Sequence, residues 1–253
     1  MEQRDLSDFT LPCLEHYRRL GLEFECVYSG FLSSQEQIDH CLKFFSTYQD
    51  ALAVVDPVMG DHGRPYRTIT PQMRSRLGEL VRVADIITPN LTEACMLLKI
   101  PYFNEGLSRA QAKSLLVRLS ELGPNYVVIT GAPMASGSIA NIGYDRQNNS
   151  FWYIDCDYVP VSYPGTGDLF ASVLTGGFLT GDSPADGDGS GSLLCGALHQ
   201  DHLQLLLRHP LRGHAGKGTG RADRPAEHQG LFAIIRAASL YGSLLLSRFV
   251  VSL

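Results

Sequence analysis

The chain lacks the patterns that would turn its cysteines into a scaffold. Cys13, Cys26, Cys41, Cys95, Cys156 and Cys195 are scattered, and no C-x-x-C pair occurs. That spacing suits buried free thiols in a reducing compartment better than a disulfide framework or a zinc site. A basic surplus is also missing: the formal charge is −5 and the pI about 5.9. Nucleic acid is therefore not an expected partner. The opening residues, Met1-Glu2-Gln3-Arg4-Asp5, carry no apolar core of a signal peptide, so the chain reads as cytoplasmic. The apolar stretch 231–253 is interrupted by Arg236 and Arg248. A central arginine costs roughly 2.5–3.5 kcal/mol on insertion scales, which argues against a membrane span.

Several motif fragments are each missing a decisive residue. The run 186–191 starts like a calcium loop, but its twelfth position is Ala197 rather than glutamate. Gly216-Lys217 is followed by Gly218 where a phosphate loop needs Ser or Thr. His199 and His202 lack further ligands at metal spacing. Phe170 stands where a dinucleotide fingerprint needs its third glycine.

What is present is an alternation of strand and helix. Helices are expected from Ser7 or Asp8 to about Arg19, over 34–48 with Ile38, Leu42 and Phe45 as the core stripe, over 70–83, 92–98 and 108–122, and over 169–179. Strands are expected at 22–28, 51–55, 85–88, 126–130 and 151–154. The short, continuous apolar runs at 51–55 and 85–88 are marks of strands buried on both faces. Such alternation belongs to a parallel sheet covered by helices.

The most informative stretch is Pro164-Gly165-Thr166-Gly167-Asp168-Leu169-Phe170. Glycines on either side of a threonine let backbone N–H groups approach an anion at the positive end of a helix. An aspartate in that first turn is a poor phosphate binder but a suitable base for an attacking hydroxyl. The plainer alternative is a helix start with Thr166 as N-cap and an aspartate that complements the dipole.

In open sheets, ligands bind beyond the carboxyl ends of the strands. There the chain carries Asp56-Pro57-Val58-Met59-Gly60-Asp61, Thr88-Pro89-Asn90-Leu91-Thr92-Glu93, Thr130-Gly131 and the 165–168 run. Singly, Asp56-Pro57 reads as a turn start, Asn90 as a helix cap and Glu93 as a first-turn acid. Together they supply oxygen ligands, a phosphate cradle and a base, the parts of phosphoryl transfer.

Those runs, with Tyr28-Ser29-Gly30-Phe31-Leu32 and Val128-Ile129-Thr130-Gly131, resemble the pyridoxal kinases of the ribokinase-like superfamily. The resemblance implies an α/β, ribokinase-like fold: a mostly parallel sheet with helices on both faces, over residues 5–180. It implies ATP-dependent phosphorylation of the 5′-hydroxymethyl of pyridoxal, pyridoxine or pyridoxamine, with ATP and Mg2+ required. Asp168 would be the base at the substrate, and Gly165, Thr166 and Gly167 the anion hole. Asn90, Glu93 and Asp56 would hold magnesium, largely through water. Asp56, Asn90, Glu93, Thr130 and Gly131 would line the ATP site. Intact members are expected to be homodimers. Hydroxymethylpyrimidine phosphate kinases usually carry cysteine in place of the aspartate, so Asp168-Leu169-Phe170 favours the vitamin B6 enzyme. A related small-alcohol kinase, or an inactive relative that only binds, are the alternatives.

Two departures from the family pattern carry expectations. Members begin with a strand and a glycine-containing loop, whereas this chain opens almost at its first helix. The outer edge of the strand at 22–28 should then be uncovered and activity low. Beyond 180 the resemblance stops, and residues 181–253 are expected to form a tail that does not pack on the domain. From 181 to 229 the tail has no aromatic residue and five of the eight histidines. Residues 186–191 and 202–208 can be encoded so that, one base later, they read Met-Ala-Met-Asp-Arg and Thr-Tyr-Ser-Tyr, runs that the family carries. The tail is thus read as the family's continuation in a displaced frame.

Overall fold

The computed structural model describes residues 5–156, 166–181 and 250–252. The displaced-frame segments at 186–191 and 202–208 lie outside the described residues. Among the described residues fifteen elements follow in order: α1 (Ser7–Arg19), β1 (Cys26–Ser29), α2 (Gln35–Thr47), β2 (Leu52–Val55), β3 (Gly60–Asp61), β4 (Arg64–Pro65), α3 (Pro71–Val83), β5 (Ile86–Ile87), α4 (Leu91–Leu98), α5 (Arg109–Ser120), β6 (Tyr126–Pro133), β7 (Ile139–Asp145), β8 (Ser150–Cys156), α6 (Thr166–Thr180) and β9 (Val250–Ser252). The chain divides into two compact units, 1–155 with 248–253, and 156–247.

The first unit is built on a seven-stranded sheet in the order β8-β7-β6-β5-β2-β1-β9. β9, β1, β2, β5 and β6 run parallel, and β7 turns back antiparallel on β6. From β1 to β6 the chain steps along the sheet in one direction, so right-handed crossovers lay α2 to α5 down as neighbours. Val27, Val54, Val55, Ile86 and Ile87 are wholly buried, as strands covered on both faces require.

The helix starts follow from their caps. Ser34, Thr70, Asn90 and Ser108 each accept a backbone N–H from the third residue onward. Asn90 with Glu93, and Ser108 with Gln111, close full capping boxes. In α2 the buried stripe is Ile38, Cys41, Phe44 and Phe45, and the expected Leu42 is only half-buried. β1 starts at Cys26 rather than Leu22. Before it, Gly21 turns the chain with φ 64°, and the Phe24 ring packs edge-on against Tyr17 and Tyr48 at 5.5 and 4.8 Å.

Two expectations for the ends of the sheet are corrected. The outer edge of β1 is not uncovered: β9 pairs along it, Cys26 with Val250, Val27 with Val251 and Tyr28 with Ser252. The tail therefore joins the sheet at its last strand. A parallel strand with a single neighbour leaves a row of backbone groups unpaired, and two consecutive valines suit the ladder.

In the second unit, α6 begins at Thr166 itself, so Thr166 is the first helical residue rather than the cap. Phe170, Ala171, Val173, Leu174 and Thr175 are buried. The Thr175 hydroxyl donates to the Ala171 carbonyl at 2.7 Å.

Candidate active site

Parallel strands place their carboxyl ends on one edge, and that edge collects most of the residues singled out in the sequence. The Asp56 N–H donates to the Ser29 carbonyl at 2.8 Å, which joins the ends of β2 and β1. The Tyr28 hydroxyl reaches Asp56 Oδ2 at 3.5 Å. On the other side, Thr88 N–H donates to the Val55 carbonyl at 3.2 Å, and Asn90 forms a parallel bridge with Thr130. Asp56, Asn90, Glu93, Thr130 and Gly131 thus belong to one contiguous rim in the first unit.

The centre of the rim is a brace built on Glu93. One carboxylate oxygen, Oε1, accepts the Met59 N–H at 3.0 Å, and Oε2 accepts the Asn90 N–H at 2.8 Å. Asn90 returns the contact through Oδ1, which accepts the Glu93 N–H at 2.9 Å, while its Nδ2 donates to the Gly60 carbonyl at 2.8 Å. The capping box of α4 is in this way welded to the loop after β2. Glu93 is only 3 % exposed. Burial pushes its carboxyl up to about 7, against the backbone N–H bonds from Asn90, Met59 and Gly60, and the nearby Asp61 charge adds to the rise.

No sequence signal marks the hairpin β3–β4 that follows Met59, in which Gly60 pairs with Pro65 and Asp61 with Arg64. A side chain at Gly60 would put its Cβ 2.2 Å from the Arg64 carbonyl oxygen. The Gly63 N–H donates to Thr92 Oγ1 at 2.9 Å, fixing the hairpin tip to α4. Tyr66, just past the hairpin, ionises above its ordinary range because of burial and then because of the charges of Asp61, Glu93 and Asp56. The residue itself is exposed, and no motif flagged it.

Asn141 was also unforeseen. It is wholly buried in β7, and its Oδ1 accepts the Gly131 N–H at 2.8 Å. Gly131 has φ 56°, a conformation that costs a glycine little, at a register shift of β6 between Ile129 and Ala132. The Thr130–Gly131 corner is thereby held by a strand that does not reach the rim through any recognisable motif. Thr88 is 4 % exposed, and its Oγ1 has no hydrogen-bond partner among the described residues.

The residues of the 165–168 run belong to the second unit. Gly165 lies outside the described residues. Gly167 and Asp168 are exposed in the first turn of α6. The Asp168 carbonyl accepts the Ser172 hydroxyl at 2.7 Å, a bond within the helix.

Magnesium is bound by one or two carboxylates, keeps several waters and leans on substrate phosphates. Among the described residues no group of three or more His, Cys, Asp or Glu is placed to hold a metal. Both Glu93 oxygens already accept N–H bonds, and both polar atoms of the Asn90 amide are engaged. The rim residues therefore form no dedicated cage among the described residues.

A family model for phosphomethylpyrimidine kinase matches residues 19–187, well over half of the chain. The chain belongs to the phosphomethylpyrimidine kinase family. A solved structure from Bacteroides thetaiotaomicron, provisionally named a phosphomethylpyrimidine kinase and crystallised with pyridoxal, is 32 % identical with a TM-score of 0.74. The alignment covers 92 % of this chain and 77 % of that one. Pyridoxal kinase from Leishmania donovani, in complex with ADP and pyridoxamine, is 25 % identical with a TM-score of 0.63, over 86 % of this chain and 73 % of that one. The pyridoxal kinase PdxY of Deinococcus radiodurans is 31 % identical over 52 % of this chain and 45 % of its own length. The chain spans about half the length of the curated pyridoxal kinases it matches. The fold is thus ribokinase-like, a mostly parallel mixed sheet with helices, and the family is one of phosphotransferases. No helix among the described residues is long and apolar enough to cross a membrane.

Proposed function

We propose that this chain carries an ATP-dependent kinase site for the 5′-hydroxymethyl of pyridoxal, pyridoxine or pyridoxamine, acting in the cytoplasm. The observation that carries the reading is Asp168, exposed in the first turn of a helix that opens on Thr166 and Gly167. A base there takes the hydroxyl proton as the oxygen attacks the γ-phosphorus. The bond from phosphorus to the ADP oxygen breaks, and ADP leaves. N–H groups at the start of α6, around Gly165, Thr166 and Gly167, receive the charge on the transferred group. Asp56, Asn90 and Glu93 would hold Mg2+ through water, and Thr130 and Gly131 would line the nucleotide. When bound, the magnesium ion supplies charge neutralisation at the phosphates. Support comes from the relatives with pyridoxal, pyridoxamine and ADP; a homodimer is the assembly to test.

A second reading, phosphorylation of a hydroxymethylpyrimidine, is favoured by the family model itself. Steady-state assays of ADP release with pyridoxal, pyridoxine, pyridoxamine and hydroxymethylpyrimidine decide between them. Pyridoxal-dependent ADP release with formation of pyridoxal 5′-phosphate is expected. Turnover with the pyrimidine alone would transfer the assignment to it, and no turnover with any of the four would leave a binding protein.

A further inference from the structure

β1 has a partner on each side, and the two come from distant parts of the chain. β2 pairs with all four of its residues, from Cys26–Leu52 to Ser29–Val55. β9 pairs with three, from Cys26–Val250 to Tyr28–Ser252, and is likewise parallel. Cys26, Val27 and Ser29 are wholly buried. An outer edge of β1 left unpaired in such surroundings would strand backbone N–H and C=O groups away from water.

The segment that fills this place has the composition for it. Val250 and Val251 are β-branched, and Arg248 stands just ahead of them. A three-residue strand is too short to hold itself. It is held by the edge it completes, and a short strand is also how proteins blunt a sheet edge against further pairing. Among the described residues, β1 is the one strand that β9 neighbours in the sheet.

We propose that the outer edge of β1 is a strand-binding site whose occupant is this chain's own β9, Val250–Ser252, added in cis as a detachable strand. Recognition is by β-augmentation: main-chain hydrogen bonds give the affinity, and alternate side chains give the choice. The ligand class is an extended, β-branched apolar segment. When 248–253 is absent, the vacant edge accepts such a segment supplied from outside.

Hydrogen–deuterium exchange on three forms of the chain tests this: the full chain, Val251→Pro, and a form lacking 248–253. Proline removes a ladder N–H from the strand. Exchange in peptides covering 24–30 should rise about tenfold or more in both variants, as expected of a locally opened unit. Peptides covering 126–145, on β6 and β7, should not change. A synthetic peptide Arg-Phe-Val-Val-Ser-Leu, added in excess to the truncated form, should restore the protection at 24–30. Unchanged exchange at 24–30 overturns the proposal, and so does a loss of protection spread evenly over the whole sheet. Failure of the peptide to restore protection shows that the edge is no strand-binding site. Protection in the full chain that fades on dilution shows that a second copy supplies the strand, and overturns the assignment in cis.

Discussion

The Glu93 carboxylate accepts the Met59 backbone N–H at 3.0 Å, so the first turn of α4 carries the loop that follows β2. The other oxygen takes the Asn90 N–H, and the residue is almost wholly buried. A group set like this is part of the framework before any cation or nucleotide arrives.

Replacing Glu93 with glutamine keeps its size but leaves one acceptor oxygen for the N–H groups of Met59, Asn90 and Gly60. At least one buried donor loses its partner, at a cost of about 1–3 kcal/mol. The expected result is a lowered Tm for Glu93→Gln without magnesium or nucleotide, with a larger fall for Glu93→Ala. A Tm equal to that of the parent chain would mean that Glu93 serves the ligand and not the loop.

Much of this framework was legible because its signals are local. Ser34, Thr70, Asn90 and Ser108 mark helix starts through hydrogen bonds to residues three positions on, and all four act as caps. The loops at the carboxyl ends of the strands were legible for a similar reason, since parallel topology alone gathers them. The hairpin β3–β4 was not, because two-residue strands around His62 and Gly63 have no periodicity and read as loop. Asn141 and β9 escaped for another reason: their partners, Gly131 and β1, are set by tertiary register. The end of the tail was misjudged because composition says nothing about which edge lacks a neighbour.

The hairpin gives a second prediction. Gly60 sits where an added Cβ would lie 2.2 Å from the Arg64 carbonyl oxygen and 2.8 Å from Pro65 Cα. Both are backbone atoms, so no side chain can swing aside. Gly60→Ala should force β3 and β4 apart and disturb the carbonyl that receives the Asn90 amide. Overpacking of this kind costs about 1–3 kcal/mol. The variant should melt lower and exchange its 59–66 amides faster, and an unaltered exchange pattern would contradict the tight hairpin.

The thiols give a prediction in pH. Burial holds the Cys26 thiol up at about 12, with a further push from Asp85, and burial raises Cys41 to about 11. The ordinary value is 9.0. Both groups therefore ionise more readily in the unfolded chain. Their contribution to stability is complete below pH 9.0 and is lost as pH rises through the folded values of about 11 and 12. Among the described cysteines, alkylation at neutral pH should label the half-buried Cys13 first and spare Cys26 and Cys41 until the chain unfolds. Mass spectrometry of the labelled peptides reads the order, and rapid labelling of Cys26 in the folded chain would refute its burial.

Asp168 allows the sharpest test of the chemistry, because it is exposed at a helix start and its replacement need not disturb packing. Asparagine matches its size and is tolerated in a first helical turn, but it cannot accept a proton. If the carboxylate takes the proton from the substrate hydroxyl, Asp168→Asn should lower kcat by about 10²–10⁴-fold, the usual yield of general-base catalysis. Nucleotide affinity should stay close to that of the parent chain, since the proposed nucleotide contacts are Asp56, Asn90, Glu93, Thr130 and Gly131. Calorimetric titration with ATP and a steady-state assay with pyridoxal separate the two effects. A fall in affinity at unchanged kcat would make Asp168 a binding residue, and a near-normal rate with normal affinity would remove it from the reaction altogether.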